Sequence, residues 1–69
     1  MKVKNEIIEM IRENQSLRRE LLYRMEWSEA TLYRNLRENP VNGDLTKTLA
    51  LKIIAEGLGI KENEILNEN

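Results

Sequence analysis

An all-α fold is what this chain predicts: a compact bundle of about five short helices in a single domain spanning residues 1–69. Three observations predict it. Apolar residues recur at helical spacing along most of the chain. No run of Val, Ile or Thr alternates with period two, so no strand is expected. The only proline, Pro40, punctuates the chain once. Hydrophobic residues make up 41% and charged residues 33%, which is globular rather than disordered composition. A domain of this size buries only about 60% of its unfolded surface. Phe is absent, so the core must come from Leu, Ile, Met and Val.

The first helix is expected from about Val3 to Glu13. Val3, Ile7, Met10, Ile11 and Asn14 fall on one stripe, with Ile8 at its edge. The Asn14-Gln15-Ser16 step ends it, and Ser16 is the expected N-cap of the second helix, about Leu17 to Met25. Leu17, Leu21, Arg24 and Met25 share a side there, with Leu22 further round. The third helix follows Ser28, another N-cap candidate, and runs to Glu38 or Asn39 before Pro40. Only Glu26-Trp27-Ser28 separates the second and third helices, so they must meet at a steep angle. Trp27 is expected to anchor that junction.

"PVNGD" reads as a turn in which Asn42-Gly43 supplies positive φ. The fourth helix starts near Asp44 to Thr46 and reaches Glu56 to Leu58, with Gly59 as its C-cap. Leu49 and Ile53 occupy one side, while Leu51, Ile54, Ala55 and Leu58 spread over the rest. A helix apolar on two sides is either central in the core or shared with a second copy, so a homodimer is open. A last short turn, about Glu62 to Leu66, returns Ile65 and Leu66 to the core.

Several functions are disfavoured by composition. Without Cys there is no disulfide, thiolate or Cys-based metal site, and without His the usual general base is missing. No Gly-rich phosphate loop, paired metal ligands or constrained Ser elbow appears, so no enzyme, cofactor, metal or small-molecule substrate is expected. No window approaches the roughly 18 apolar residues of a membrane span, so no membrane partner is expected. With no signal peptide, the cytosol is the expected compartment.

The 11 basic and 12 acidic residues nearly cancel, but they are unevenly placed. All six Arg lie between Arg12 and Arg37. From Glu56 onward, Glu56, Glu62, Glu64 and Glu68 face Lys61 alone. The basic segment includes the third helix. With Leu32 at its inward pole and about 100° per residue, Leu36 falls beside it, and Ala30, Arg34 and Arg37 fall opposite. Tyr33 and Thr31 flank them. A planar guanidinium can pair with guanine O6 and N7 or grip a phosphate. The helix N-terminus at Ser28 also favours a phosphate. Arg18 and Arg19 lie in the first turn of the second helix, where a crossing backbone strand would run.

"LRRELLYRMEWSEATLYRNL", residues 17–36, resembles the helix-turn-helix of phage Cro- and repressor-type (Xre-like) regulators. "LTKTLALKIIAEGLGIKENEIL" is similar to the last two helices of that family, and the likeness runs from Leu17 to Leu66. The motif itself would occupy about residues 17–37. Three positions depart from the family pattern. Leu22 stands where a small residue is usual, Asn35 where an aliphatic one is common, and Glu26 where Gly is favoured. The likeness therefore implies a left-handed Glu26. "ATLYRNLREN" is also similar to the recognition helices of transposase-type domains.

The resemblance implies a lambda-repressor-like fold and a recognition helix over 28–38. It implies that Glu29, Ala30 and Arg34 face base edges, and that Arg18 and Arg37 touch the sugar-phosphate backbone. Tyr33 joins the candidate base contacts, and Ser16, Arg19, Ser28 and Thr31 join the candidate phosphate contacts. The resemblance further implies sequence-specific binding of double-stranded DNA, as a bacterial or phage transcriptional regulator. The rival is a protein-interaction or adaptor module on the same fold without DNA binding, which the charge balance, Glu26 and Glu29 favour. A recombinase or transposase piece is a third alternative. The same residues also admit plainer roles. Arg34 and Arg37 can form a solvated face, Arg18 and Arg19 can pair with Glu20 or Glu26, and Tyr33 can pack at the surface.

Overall fold

The computed structural model describes residues 1–67. Four α-helices form the body: α1 (Asn5–Arg12), α2 (Gln15–Arg24), α3 (Glu29–Glu38) and α4 (Thr48–Leu58). Two short 3-10 turns, Asp44–Thr46 and Glu62–Glu64, precede and follow α4. The expected fifth helix is therefore a single 3-10 turn, too short to close a full α-helical ladder.

The expectation of no strand is corrected. Residues Lys2–Val3 (β1) pair antiparallel with Leu66–Asn67 (β2), in the register Lys2↔Asn67 and Val3↔Leu66. Lys4 N–H extends the pairing to Ile65 O at 2.9 Å. Each strand has two residues, too few to carry a period, and only the approach of distant segments makes the pair. Val3 thus belongs to β1, and α1 begins at Asn5 instead of Val3. Ile8 packs inward with Ile7 and Ile11, while Met10 is 41% exposed.

The ends of the helices follow from their caps. Asn14, not Ser16, caps α2: its Oδ1 accepts from Leu17 N at 3.0 Å. Ser16 falls one residue inside the helix and is exposed. Ser28 caps α3 as expected, its Oγ accepting from Thr31 N at 3.1 Å. Two helices close in the same way at their C-termini. After α2, Trp27 N donates to Leu22 O at 3.0 Å across a left-handed Glu26, φ 56°. After α4, Ile60 N donates to Ala55 O at 3.1 Å across Gly59, φ 68°. This six-to-one closure needs a left-handed residue just past the helix. Gly59 adopts it freely, whereas Glu26 does so against the clash of its own Cβ.

In the "PVNGD" turn, Asn42 takes the positive φ, 56°. Gly43 is instead required by space, since a Cβ there would lie 2.5 Å from Pro40 Cγ.

Every α-helix contributes to one core: Ile7, Ile8 and Ile11 from α1, Leu17 and Leu21 from α2, Leu32 and Leu36 from α3, and Ala50, Ile53 and Ile54 from α4. Val3, Leu45 and Ile65 complete it. α4 is the central element, packed chiefly on α2. Its second apolar side is largely used internally, because Leu51, Ala55 and Leu58 are half-buried against the core. Leu49 departs from the expected pairing with Ile53: it is 42% exposed while Ile53 is buried. Among the described residues, no helix is long and apolar enough to cross a membrane.

Candidate nucleic-acid interface

α3 divides into two faces. Leu32, Asn35 and Leu36 are buried. Glu29, Ala30, Tyr33, Arg34 and Arg37 are exposed, and Thr31 is half-buried. The division follows from periodicity, because Leu32 and Leu36 lie one turn apart and fix the helix's rotation about its axis. Asn35 occurs inside because its amide has a local partner: Nδ2 donates to Thr31 O at 2.9 Å. That bond lets a polar side chain occupy a core-facing position at modest cost.

The N-terminus of α3 is organised by its cap. Ser28 Oγ also donates to Thr31 Oγ1 at 3.1 Å. Both hydroxyls are therefore engaged with each other while remaining reachable from outside. Glu29 follows at the first helical position, where a carboxylate complements the helix dipole.

The six arginines differ in what they already hold. Arg12 pairs with Glu9 at 3.5 Å, Arg24 with Glu56 at 3.2 Å, and Arg37 with Glu38 at 3.6 Å. The Arg37–Glu38 pair is well exposed on both sides, so water and salt screen it and Arg37 can exchange partners. Arg18 is committed differently. Its Nη1 donates to Arg12 O and, at 3.4 Å, to Ile11 O, so it closes the C-terminus of α1. The expected phosphate contact by Arg18 meets this prior structural task, and the pairing with Glu20 or Glu26 is not formed either. Arg19 and Arg34 are exposed and hold no hydrogen bond or ion pair among the described residues.

A shallow groove of about 200 Å³ runs between α2 and α3. Gln15, Arg18 and Arg19 form its α2 wall, Glu29 and Tyr33 its α3 wall, and Leu22 and Leu32 its floor. The groove thus brings Arg19, Glu29 and Tyr33 together, while Arg34, Arg37 and Ala30 belong to the open face of α3. Ser16 lies outside the groove lining. Leu22, where a small residue was noted as usual, is accommodated as groove floor rather than fully buried.

The chain matches no family model, no curated protein and no solved structure.

Two residues that shape this surface escaped the sequence reading. Gln15 lines the groove, and Asn39 closes α3 with a buried amide. "NQS" contains two competent caps, and the one three residues before Leu17 won. Asn39 sits before Pro40, which marked the helix end but gave no sign that its side chain turns inward. A larger hollow of about 660 Å³ adjoins the groove at Leu22 and is lined by Leu22, Tyr23, Arg24, Glu26 and Leu49.

Proposed function

We propose that the chain binds duplex DNA, with α3 as the recognition helix of a helix-turn-helix formed by α2, the Met25–Ser28 turn and α3, and that it acts as a bacterial or phage transcriptional regulator. One observation carries this reading. The face of α3 opposite buried Leu32 and Leu36 presents exposed Ala30, Tyr33, Arg34 and Arg37 to solvent. A small residue beside long arginines lets the helix backbone come close to a groove while guanidinium groups reach its floor. The left-handed Glu26 and the cap at Ser28 support the same motif, since they set the angle between α2 and α3.

Roles divide by what each side chain already holds. Arg34, without a partner in the fold, reads a guanine edge. Arg19 and Arg37 take phosphates, with the first-turn N–H groups of α3 near Ser28 and Thr31 as a further phosphate site. Glu29 accepts from a cytosine amino group, the base contact that offsets its repulsion from nearby phosphates. A twofold dimer on half-sites about one helical turn apart is the expected arrangement.

Selection of duplexes from a random pool tests the proposal, followed by anisotropy titration of the enriched site. Arg34→Ala should weaken binding to that site by about 1–3 kcal/mol and relax preference at one position. No enriched motif, or an unchanged affinity in Arg34→Ala, would overturn it. The competing adaptor reading draws on the net charge of -1 and the Arg37–Glu38 pair, which lower the basic character of this face. It takes precedence if the pool yields nothing.

A further inference from the structure

Beyond the core, the far end of α3 carries a buried side chain that bonds directly to the N-terminal strand. Asn39 follows the helix in a left-handed conformation, φ 41° and ψ 58°, and is only 8% exposed. Its Nδ2 donates to Val3 O at 2.6 Å. Val3 is itself half of the Val3↔Leu66 pair that joins the two ends of the described chain. The loop after Asn39 reaches the same segment, with Asn42 N donating to Met1 O at 2.6 Å. Residues 1–3 are therefore held by two separate segments: β2, and the 39–42 loop that leads out of α3.

We propose that Asn39 is a positioning residue that couples the pose of α3 to the pairing of β1 with β2. The chemistry of the site favours a directional role over a purely stabilising one. Asn39 Oδ1 is buried and has no protein partner among the described residues. Glycine would fit the positive φ more easily and would bury no polar atom. What asparagine adds over glycine is the bond to Val3. The other attachments of α3 to the core, through Leu32 and Leu36, are apolar and non-directional. They fix which face of the helix turns inward, whereas a hydrogen bond to a single carbonyl also sets where the helix end lies along β1. The amide ties that position to β1, so loosening the β1–β2 pair removes one of the two holds on residues 1–3 and loosens the end of α3 with them.

The DNA part of this inference rests on the proposed function, and the test keeps the two apart. In the full chain, Asn39→Gly removes the tie, the unmet acceptor and the backbone strain together, so the variant stays folded. Hydrogen exchange of the last α3 turn, Asn35–Asn39, should become about tenfold faster while α2 and α4 keep their protection. Asn67→Pro, which takes the N–H opposite Lys2 out of the strand pair, should produce the same change in the parent chain and no further change in Asn39→Gly. On the enriched duplex, Asn39→Gly should lower the ratio of specific to scrambled-site affinity by about tenfold and leave scrambled-site binding intact. Parental exchange rates across α3 in Asn39→Gly would overturn the coupling. So would an unchanged affinity ratio on a duplex that the parent chain selects. If no duplex binds, the DNA reading fails and the exchange data alone decide the coupling.

Discussion

Glu26 is the most conspicuous residue-scale compromise in the molecule. It holds φ 56° at the turn between α2 and α3, where its Cβ crowds its own backbone. Nothing in its surroundings repays that crowding through a hydrogen bond or ion pair of its side chain among the described residues. Glu26→Gly should therefore stabilise the fold by about 1 kcal/mol, the relief of left-handed strain exceeding the added freedom of the unfolded chain. In a domain of this size that is a rise in Tm of about 4–8 °C. Thermal unfolding followed by Trp27 fluorescence measures it directly, since Trp27 is the next residue and packs against the core. Asn39 is the second such residue, and its strain is accompanied by a tie that Glu26 lacks.

Among the elements, the α1–α2 junction and the α3 face use the same residue type for opposite ends. Arg18 spends its guanidinium on the last carbonyls of α1, where a positive charge also complements the helix dipole. Arg19, its neighbour in sequence, points to solvent beside the α2–α3 groove. Arg18→Ala should lower stability by about 1 kcal/mol in urea unfolding, because it removes the charge-assisted bond to Arg12 O and the positive charge at the C-terminus of α1. Arg19→Ala should leave the unfolding midpoint unchanged and weaken duplex binding. Equal effects of the two variants on both measurements would contradict the division of labour. Leu22 belongs to this scale too. As groove floor it widens the α2–α3 contact without entering the core, which is how a large residue is tolerated at the middle of α2.

At the scale of the whole molecule, charge and closure matter more than any single contact. The net charge of -1 leaves no general attraction for DNA, so binding must come from the few cations on one side. With about three phosphates neutralised per copy, log affinity should fall with log salt at a slope of about -3 for a single copy and about -5 for the twofold dimer, from about 0.9 for each phosphate. Anisotropy titrations between about 50 and 200 mM salt give that slope, and a value near zero would speak against phosphate contacts. The β1–β2 pair closes the described chain on itself and seats Val3 and Ile65 in the core. The short helices, each marginal alone, are held together by the core that all four share.

The sequence by itself determined the helical class, a short connection before α3 (four residues, Met25–Ser28, where three were expected), the Ser28 and Gly59 caps, and which side of α3 faces in. All of these rest on local rules: a period of 3.6, a hydroxyl before a helix, a glycine after one, a proline beyond another. The left-handed Glu26 followed from the family likeness and was met in the structure. Only the tertiary structure decided the rest. Asn14 displaced Ser16 as a cap, Arg18 turned to the end of α1, Ile8 replaced Met10 in the core, Leu49 stayed outside, and two residues at each end became strands. Each of these depends on which distant atoms come within reach. A carbonyl left open by one helix, or a backbone edge left open by a strand, becomes a partner only after the chain has folded around it, and no spacing along the sequence records that meeting.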